Sequence, residues 1–478
     1  MSRPHAPAPA PAPRGTLPRI LGPFDAMTVV VGGIIGAGIF LKPALIAREL
    51  NGFGFGPIIG VWIVVGIVTL CGALTLAELA AMLPHAGGPY VYLREAYGRL
   101  PAFLWGWTEF WVIRTGSLGA LVTATVIYLN EVIPMTRGVQ EAVAIAIVVV
   151  LSAASVVSTR WAVWIQNLTA VAKVGFLAAI IVLPLFFYRG GTNHLVPLWP
   201  ESYSPSIWKA LGAAMIAVLW AYDGWINIAP VAEEIRDPQR DIPLALGVGV
   251  LIVIVVYILA NVAYHLVLPV DVVAGVTEDT RAGAKESAVA AKMCKVLLGD
   301  VGGKFVAVGV LCSTFGGANS NLLTGPRIFF AMARDGLLPA AVCKIHDRWR
   351  TPANAVVLQG IWTIVLIIAA FAWQNDEPGD VFDALTDFVI FGGSIFYAMA
   401  VGAVFVLRRT RPDAPRPYRT WGYPFTPALY LLAFSAALVN LLWQTPRQSL
   451  AGSLLIAAGA IYYAVVRRRL PPVDGRAG

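Results

Sequence analysis

The sequence has 478 residues, of which 58% are hydrophobic and 13% are charged, with a formal net charge of +8. A soluble domain carries about 25% charged residues, so this chain is too apolar to be a water-soluble globule. The composition predicts a polytopic membrane protein, in which each apolar run of about 20 residues crosses the bilayer as a helix.

The predicted spans follow one another along the chain, separated mostly by short loops. Twelve fit the hydrophobic pattern, at roughly 25–49, 54–82, 102–132, 138–157, 160–187, 207–235, 242–267, 303–334, 353–373, 380–407, 423–443 and 448–467. Arg and Lys gather in alternate loops, and short basic loops stay on the cytoplasmic side. We therefore predict a multi-pass protein of the plasma (inner) membrane with both termini cytoplasmic. The long outer segment 268–303 is predicted to contain a short amphipathic helix over 284–298.

The ends of the chain and the basic loop carry no apolar run of their own. The first residues, MSRPHAPAPAPAPRG, favour extended polyproline II structure and lack the apolar core of a cleaved signal peptide. We predict disordered cytoplasmic tails over 1–20 and 468–478, and a basic cytoplasmic loop over 409–422.

Residues typical of enzymes and metal sites are sparse. The four cysteines lie far apart and the five histidines are scattered, so neither a disulfide scaffold nor a zinc site is predicted. The chain contains no P-loop, no HExxH and no metal-ligand cluster. We expect no enzymatic activity, no cofactor and no metal, and the distribution of basic residues over loops does not favour nucleic-acid binding.

Two spans are interrupted near their middles. The first contains four glycines within seven residues, in Val31-Gly32-Gly33-Ile34-Ile35-Gly36-Ala37-Gly38-Ile39-Phe40. The sixth places an Asp-Gly pair at bilayer depth, in Trp220-Ala221-Tyr222-Asp223-Gly224-Trp225. Taken alone, the first break also fits a tight helix-packing face. Interrupted helices at corresponding positions of two halves are typical of an inverted-repeat transporter whose site lies at the midplane.

Few charged residues lie within the spans. Lys173 is near the centre of the fifth span, about 18–20 Å from either end at about 1.5 Å per residue, too deep to reach water. An ammonium there is costly, so Lys173 either forms a structural ion pair between helices or acts as a fixed ammonium in place of a coupling ion.

Glu109 and Arg114, five residues apart in the third span, are not expected to share a helix face well.

The breaks expose backbone groups of opposite polarity. A half-helix beginning near Ile39 directs the N–H groups of Gly36, Ala37 and Gly38 at the break, which suits a carboxylate. Carbonyl groups around Ile34 and at 220–223 suit an ammonium. One carboxylate pole close to one ammonium pole matches a free α-amino acid.

Three features near the breaks have more than one interpretation. Asp223 could bond the amine or a hydroxyl of the substrate, or cap a second half-helix near 224–235. Trp220 is either a lid on the pocket or an aromatic that faces lipid or core. The eighth-span segment Phe315-Gly316-Gly317-Ala318-Asn319-Ser320-Asn321 is unusually polar for membrane depth, and we predict that it lines the cavity.

From about Gly22 to Arg469, the sequence resembles the amino acid–polyamine–organocation transporter superfamily, and most of all its L-type amino acid transporter branch. Gly36-Ala37-Gly38-Ile39-Phe40 is similar to the family's GSGIF, and Trp220-Ala221-Tyr222-Asp223-Gly224-Trp225 is similar to its FAYxGW. Further similar motifs are Gly87-Gly88-Pro89-Tyr90, Glu233-Glu234-Ile235-Arg236-Asp237-Pro238 and Arg327-Ile328-Phe329-Phe330.

The resemblance implies an all-α fold of the LeuT type. Two inverted five-helix repeats would occupy 21–190 and 205–408, with helices 1 and 6 discontinuous and two further helices over 423–467. It also implies that Gly36–Gly38 bind the substrate carboxylate and that carbonyls of Ile34, Trp220 and Asp223 bind its amine. Lys173 would replace sodium. The implied substrate-binding residues are Ile34, Gly36, Ala37, Gly38, Trp220, Asp223, Gly224, Phe315 and Asn319.

Two departures from the family pattern affect this expectation. Ala37 replaces the usual Ser and removes a hydroxyl from the carboxylate site. Residues 131–138 lack the cysteine through which animal members join a heavy subunit, so no disulfide-linked heavy subunit is expected.

The sequence therefore predicts a sodium-independent amino acid transporter working by alternating access, an exchanger of neutral amino acids. The amino acid itself and the oligomeric state are left open. A proton-coupled symporter, with Asp223 or Lys173 titrating, is the nearest alternative. An amino acid sensor that binds without transport is a third.

Overall fold

A computed structural model describes residues 16–191, 193–199, 206–276, 288–373, 378–444 and 446–466, all α-helical or irregular apart from short 3₁₀ and π segments. The first half contains α1 (Pro23–Ile34), α2 (Gly38–Glu49), α3 (Phe55–Met82), α4 (Pro89–Tyr97), α5 (Arg99–Thr108), α6 (Arg114–Val132), α7 (Arg137–Val157) and α8 (Thr159–Phe187). The second half contains α9 (Ser206–Ala221), α10 (Pro238–Val267), α11 (Val270–Ala274), α12 (Val289–Leu298), α13 (Asp300–Arg334), α14 (Ala353–Trp373), α15 (Pro378–Thr410), α16 (Phe425–Gln444) and α17 (Pro446–Val466).

Ten helical stretches in the described part of the chain are long and apolar enough to cross a membrane. These residues are helical, as predicted, and the ten stretches are consistent with the predicted polytopic membrane protein. Helices satisfy their backbone groups internally, which the hydrocarbon of a bilayer requires. The helices α15 and α17 lie where the tenth and twelfth spans were predicted, and their crossing of the membrane stays a prediction.

The predicted outer segment and tails fall partly outside the described residues. Of the predicted amphipathic helix 284–298, the structure shows Val289–Leu298 as helical, whereas 284–287 lie outside the description, as do 1–15 and 467–478. The chain is already packed at Leu17, inside the predicted tail 1–20, where the side chain is 2% exposed.

The interrupted first span lies at the centre of the packing. Its first half, α1, contacts α8 and α10, whereas its second half, α2, contacts α9 and α11. The long helix α13 packs against α6 and α8 and also contacts α1. Both broken spans are therefore enclosed by continuous helices, which keeps their unwound backbone away from lipid.

One end of the molecule is closed by a polar network. The Leu17 and Ala86 backbone N–H groups donate to the Glu233 carboxylate at 2.9 and 3.0 Å, and Arg334 pairs with the same carboxylate at 2.8 Å. Beside it, the buried Arg327 and Glu234 side chains form an ion pair at 2.7 Å. These contacts hold the chain before α1 against the end of the sixth span.

Candidate functional site

The two interruptions meet each other. The first lies between α1 and α2, over residues 35–37, and the second lies between α9 and a 3₁₀ helix, Trp225–Glu234. A Cβ atom on Gly38 would come within 2.7 Å of the Ala221 Cα atom, and one on Gly33 within 3.1 Å of the Gly224 carbonyl oxygen. Gly224 also has a φ of 106°, which residues with a side chain rarely adopt. Small residues on both sides therefore allow the two unwound backbones to touch.

The first interruption leaves backbone donors unused. In α2 the first carbonyl that accepts from the helix is that of Ala37, which receives the Phe40 and Leu41 N–H groups at 3.1 Å. No hydrogen bond within the described residues uses the N–H of Gly36, Ala37 or Gly38. Unused N–H groups at a helix N-terminus attract an anion.

Lys173 lies directly against the first interruption. Its side chain is 1% exposed, and its Nζ donates to the carbonyl oxygens of Gly32 at 2.8 Å and Ile35 at 2.7 Å. The Ser313 hydroxyl donates to the carbonyls of Ile35 and Gly36 at 3.3 and 3.0 Å. Among the described residues Lys173 has no acidic partner, so the alternative of a structural ion pair is not supported. The ammonium satisfies carbonyls released by the break.

Tyr257, in the middle of α10, connects the two interruptions. Its hydroxyl lies 3.1 Å from the carbonyl oxygens of both Ile34 and Ala221, the last residues of α1 and α9. The sequence analysis missed this residue, and the available signal was weak, since Tyr257 is one of several polar side chains in a mostly apolar span. A carbonyl oxygen has two lone pairs, so Ile34 can still accept a second donor.

A cavity of about 90 Å³ lies where the two interruptions meet. Seven of the nine predicted binding residues line it, namely Ile34, Gly36, Ala37, Gly38, Trp220, Asp223 and Gly224. Polar side chains that the sequence analysis did not assign to the site also line it: Arg114, Ser117, Asn227 and Tyr397. From the eighth-span segment that was predicted to line the cavity, Gly317 and Asn321 do so.

Phe315 and Asn319 are not brought to this cavity. The Asn319 amide donates to the Ala162 carbonyl at 2.9 Å, towards α8, and Phe315 packs in a second apolar cluster with residues of α6, α7 and α14. The helical period explains the difference. Gly317 and Asn321, four residues apart, share the cavity face, and a shift of two residues rotates a side chain about 200° around the axis.

At the second interruption, Asp223 has a buried, unpartnered oxygen atom, whereas Trp220 contacts a lysine of α2. The N-cap of the 3₁₀ helix is Gly224, with no side-chain capping bond, so the geometry does not favour the capping interpretation of Asp223. The Asp223 Oδ1 atom is buried without a hydrogen-bond partner. The Lys42 Nζ atom lies 4.8 Å from the ring centroid of Trp220, a cation–π contact between α2 and α9.

The expectation that Glu109 and Arg114 do not share a face was wrong. Residues Glu109–Ile113 form a π-helix, in which each turn contains one more residue, so residues five apart are aligned. The Arg114 Nε atom pairs with the Glu109 carboxylate at 2.7 Å, and its Nη1 atom donates to Asn227 at 2.7 Å and Thr324 at 3.1 Å. Both charges are fully enclosed, and Arg114 is held at the cavity wall.

Comparisons with known proteins found a matching family and several similar transporters. A family model described as amino acid permease matches residues 21–466. The serine/threonine exchanger SteT of Bacillus subtilis is 32% identical over 95% of this chain and 98% of its own length. The large neutral amino acids transporter small subunit 2 of Homo sapiens is 31% identical over 94% of this chain and 80% of its own length. The b(0,+)-type amino acid transporter 1 of Mus musculus is 30% identical over 94% and 88%. The family and these relatives are transporters rather than enzymes.

Proposed function

The chain belongs to the amino acid permease family, and we propose that it exchanges neutral L-amino acids across the cell membrane, without sodium, by alternating access. The observation that carries the proposal is the contact between two interrupted helices around one cavity. Exchange is also the activity in the name of the relative SteT.

The cavity offers both poles of a zwitterion. We propose that the N–H groups of Gly36, Ala37 and Gly38 bind the substrate carboxylate, because they have no partner in the described chain. The carbonyl groups of Ile34, Trp220 and Asp223 would bind the substrate ammonium, and Gly224 would allow its close approach. Phe315 and Asn319 have no place in this proposal, since they face other helices.

Lys173 supports the sodium-independent part of the proposal. A sodium site in a broken helix would need carbonyl and hydroxyl oxygens. Here the carbonyls of Gly32 and Ile35 already accept from the Lys173 ammonium. We therefore propose that this fixed cation takes the place of a coupling ion.

For the architecture we propose twelve membrane spans, with inverted five-helix repeats over 21–190 and 205–408 and two further helices over 423–467. Both termini would be cytoplasmic, and no disulfide-linked heavy subunit would be required. Corresponding interruptions in the first and sixth spans support the repeat, and the basic loops support the orientation.

The contacts at the two ends of the site suggest how it is gated. The Glu233–Arg334 network closes the end at which α1 begins, and Trp220 with Lys42 lies on the opposite side of the break. We propose that substrate binding closes Trp220 over the pocket, and that rocking of the broken spans with α3 and α10 then breaks the Glu233 network.

The test is uptake of radiolabelled amino acids by proteoliposomes containing the purified chain. We expect internal unlabelled amino acid to stimulate uptake strongly, and replacement of sodium by choline to leave it unchanged. Uptake driven by an imposed pH gradient without internal substrate would favour proton-coupled symport, to which the buried Asp223 carboxylate, with its Oδ1 atom unpartnered, points. Binding without flux would favour a sensor.

A further inference from the structure

A second cavity of about 60 Å³ lies beside the first. Trp220, Asp223 and Tyr397 line both cavities and form the wall between them. The remaining described lining residues of the second cavity come from α3, α9, α15, α16 and the start of the 3₁₀ helix, and include Trp225, Tyr430 and Phe434. Neither Lys173 nor the residues proposed to bind the substrate carboxylate are among the described residues that line this second cavity.

Aromatic rings surround the second cavity. The Trp225 and Tyr430 ring centroids are 5.8 Å apart, those of Tyr430 and Phe434 4.9 Å, and those of Tyr397 and Phe434 6.3 Å. The negative faces of such rings attract a cation. The wall is therefore largely aromatic and apolar, and the charge that would favour a cation comes from Asp223.

Two buried acceptors in this cavity have no partner. The Tyr430 side chain is 1% exposed, and its hydroxyl makes no hydrogen bond. The Asp223 Oδ1 atom is likewise buried and unpartnered. Leaving a buried polar group unsatisfied destabilises the protein, and more so when the group is charged. Both atoms therefore favour a ligand that brings N–H donors and a positive charge.

We propose that the second cavity binds a small primary alkylammonium ion, separately from the amino acid site. Asp223 is the sole acidic residue, and no basic residue is present, among the described residues that line it. A zwitterionic amino acid would find no partner there for its carboxylate, so the ligand is an amine without one. At about 10–15 Å³ for each water-sized group, the cavity holds about four to six such groups, which fits isobutylammonium.

The test measures, by titration calorimetry, the binding of isobutylammonium chloride to the purified full-length chain in detergent. We expect saturable binding, and no binding of isovalerate, which has a similar branched shape but carries the opposite charge. Absence of saturable isobutylammonium binding, or equal binding of isovalerate, would overturn the inference.

Substitutions place the site. Tyr430→Phe removes one acceptor and leaves the ring, so isobutylammonium should bind about tenfold more weakly, a loss of about 1.4 kcal/mol. Tyr264→Phe is the matched control, because the Tyr264 hydroxyl is also buried without a partner but does not line the second cavity. Asp223→Asn should abolish binding. Equal affinity of wild type, Tyr430→Phe and Asp223→Asn, or an equal loss in the Tyr264 control, would contradict the assignment.

A transport readout separates this inference from the proposed function. Tyr430 is not among the residues that we assign to substrate, so Tyr430→Phe should retain the wild-type KM for amino acid uptake. Loss of amine binding with normal uptake supports a separate site. Failure of the wild-type chain to transport any amino acid would refute the proposed function while leaving the binding measurement intact.

Discussion

Replacing Lys173 by methionine tests the centre of the proposed mechanism. Methionine keeps an unbranched side chain and removes every donor. The ammonium makes two hydrogen bonds to carbonyls, at 2.8 Å to Gly32 and 2.7 Å to Ile35. A hydrogen bond to a charged group contributes about 1.5–3 kcal/mol. Lys173→Met should therefore remove about 3–6 kcal/mol of the hydrogen-bond energy that stabilises the backbone geometry of the first interruption.

The effect on function should be much larger than the effect on overall stability. A loss of about 3 kcal/mol corresponds to a roughly 100-fold change in the population of the competent geometry. Removal of a buried charge offsets part of the lost bonding, so the thermal midpoint in detergent should change little. We therefore expect uptake in proteoliposomes to fall by about 100-fold or more.

The control is Lys304→Met, since Lys304 lies in an exposed position on α13 and should keep wild-type uptake. The assay compares initial rates at equal amounts of reconstituted protein, with internal substrate present. Uptake by Lys173→Met within about threefold of wild type, a difference below 1 kcal/mol, would refute the role given to the ammonium.

Three further substitutions test the geometry of the site. Arg114→Leu leaves Glu109 buried without its cation, which should destabilise the protein by about 3–5 kcal/mol and lower the thermal midpoint in detergent. Tyr257→Phe removes the hydroxyl that lies 3.1 Å from both broken-helix carbonyls, and we expect about a tenfold loss of uptake rate. Gly38→Val introduces a Cβ atom 2.7 Å from the Ala221 Cα atom and fills the carboxylate pole, so saturable binding of substrate should disappear.

Each of these substitutions has a matched control. Adding Glu109→Gln to Arg114→Leu removes the unpaired charge. The thermal midpoint of the double variant should therefore be higher than that of Arg114→Leu alone. Tyr264→Phe removes another buried hydroxyl of α10 and should leave uptake unchanged. Gly60→Val lies in a span with open space around the added atom and should bind substrate normally. Equal effects of a substitution and its control would show that the contact described here has no specific role.

The positions of the helices and of the two interruptions could be predicted from the sequence because the bilayer restricts the possible structures. Apolar runs must become helices in hydrocarbon, and the glycines of the first span and the Asp-Gly pair of the sixth stand out from them. A lysine at membrane depth needs acceptors, and carbonyls released by an interrupted helix can supply them. The need of Lys173 for acceptors could therefore be predicted, whereas its contact with the carbonyls of Gly32 and Ile35 was shown only by the structure.

The side on which each residue faces was decided by the tertiary structure. In α13 the polar segment was evident, but packing against α6 and α8 turned Gly317 and Asn321 to the cavity and Asn319 away from it. A π turn, whose energy depends on surrounding contacts, aligned Glu109 with Arg114. Tyr257 bridges the two interruptions only in the folded protein. Its partner Ile34 is distant in the sequence, and its other partner, Ala221, lies on a different helix. The sequence determined the interrupted backbone and the buried lysine of the site. Helix rotation and packing determined which side chains line the cavity, because they set the direction in which each side chain points.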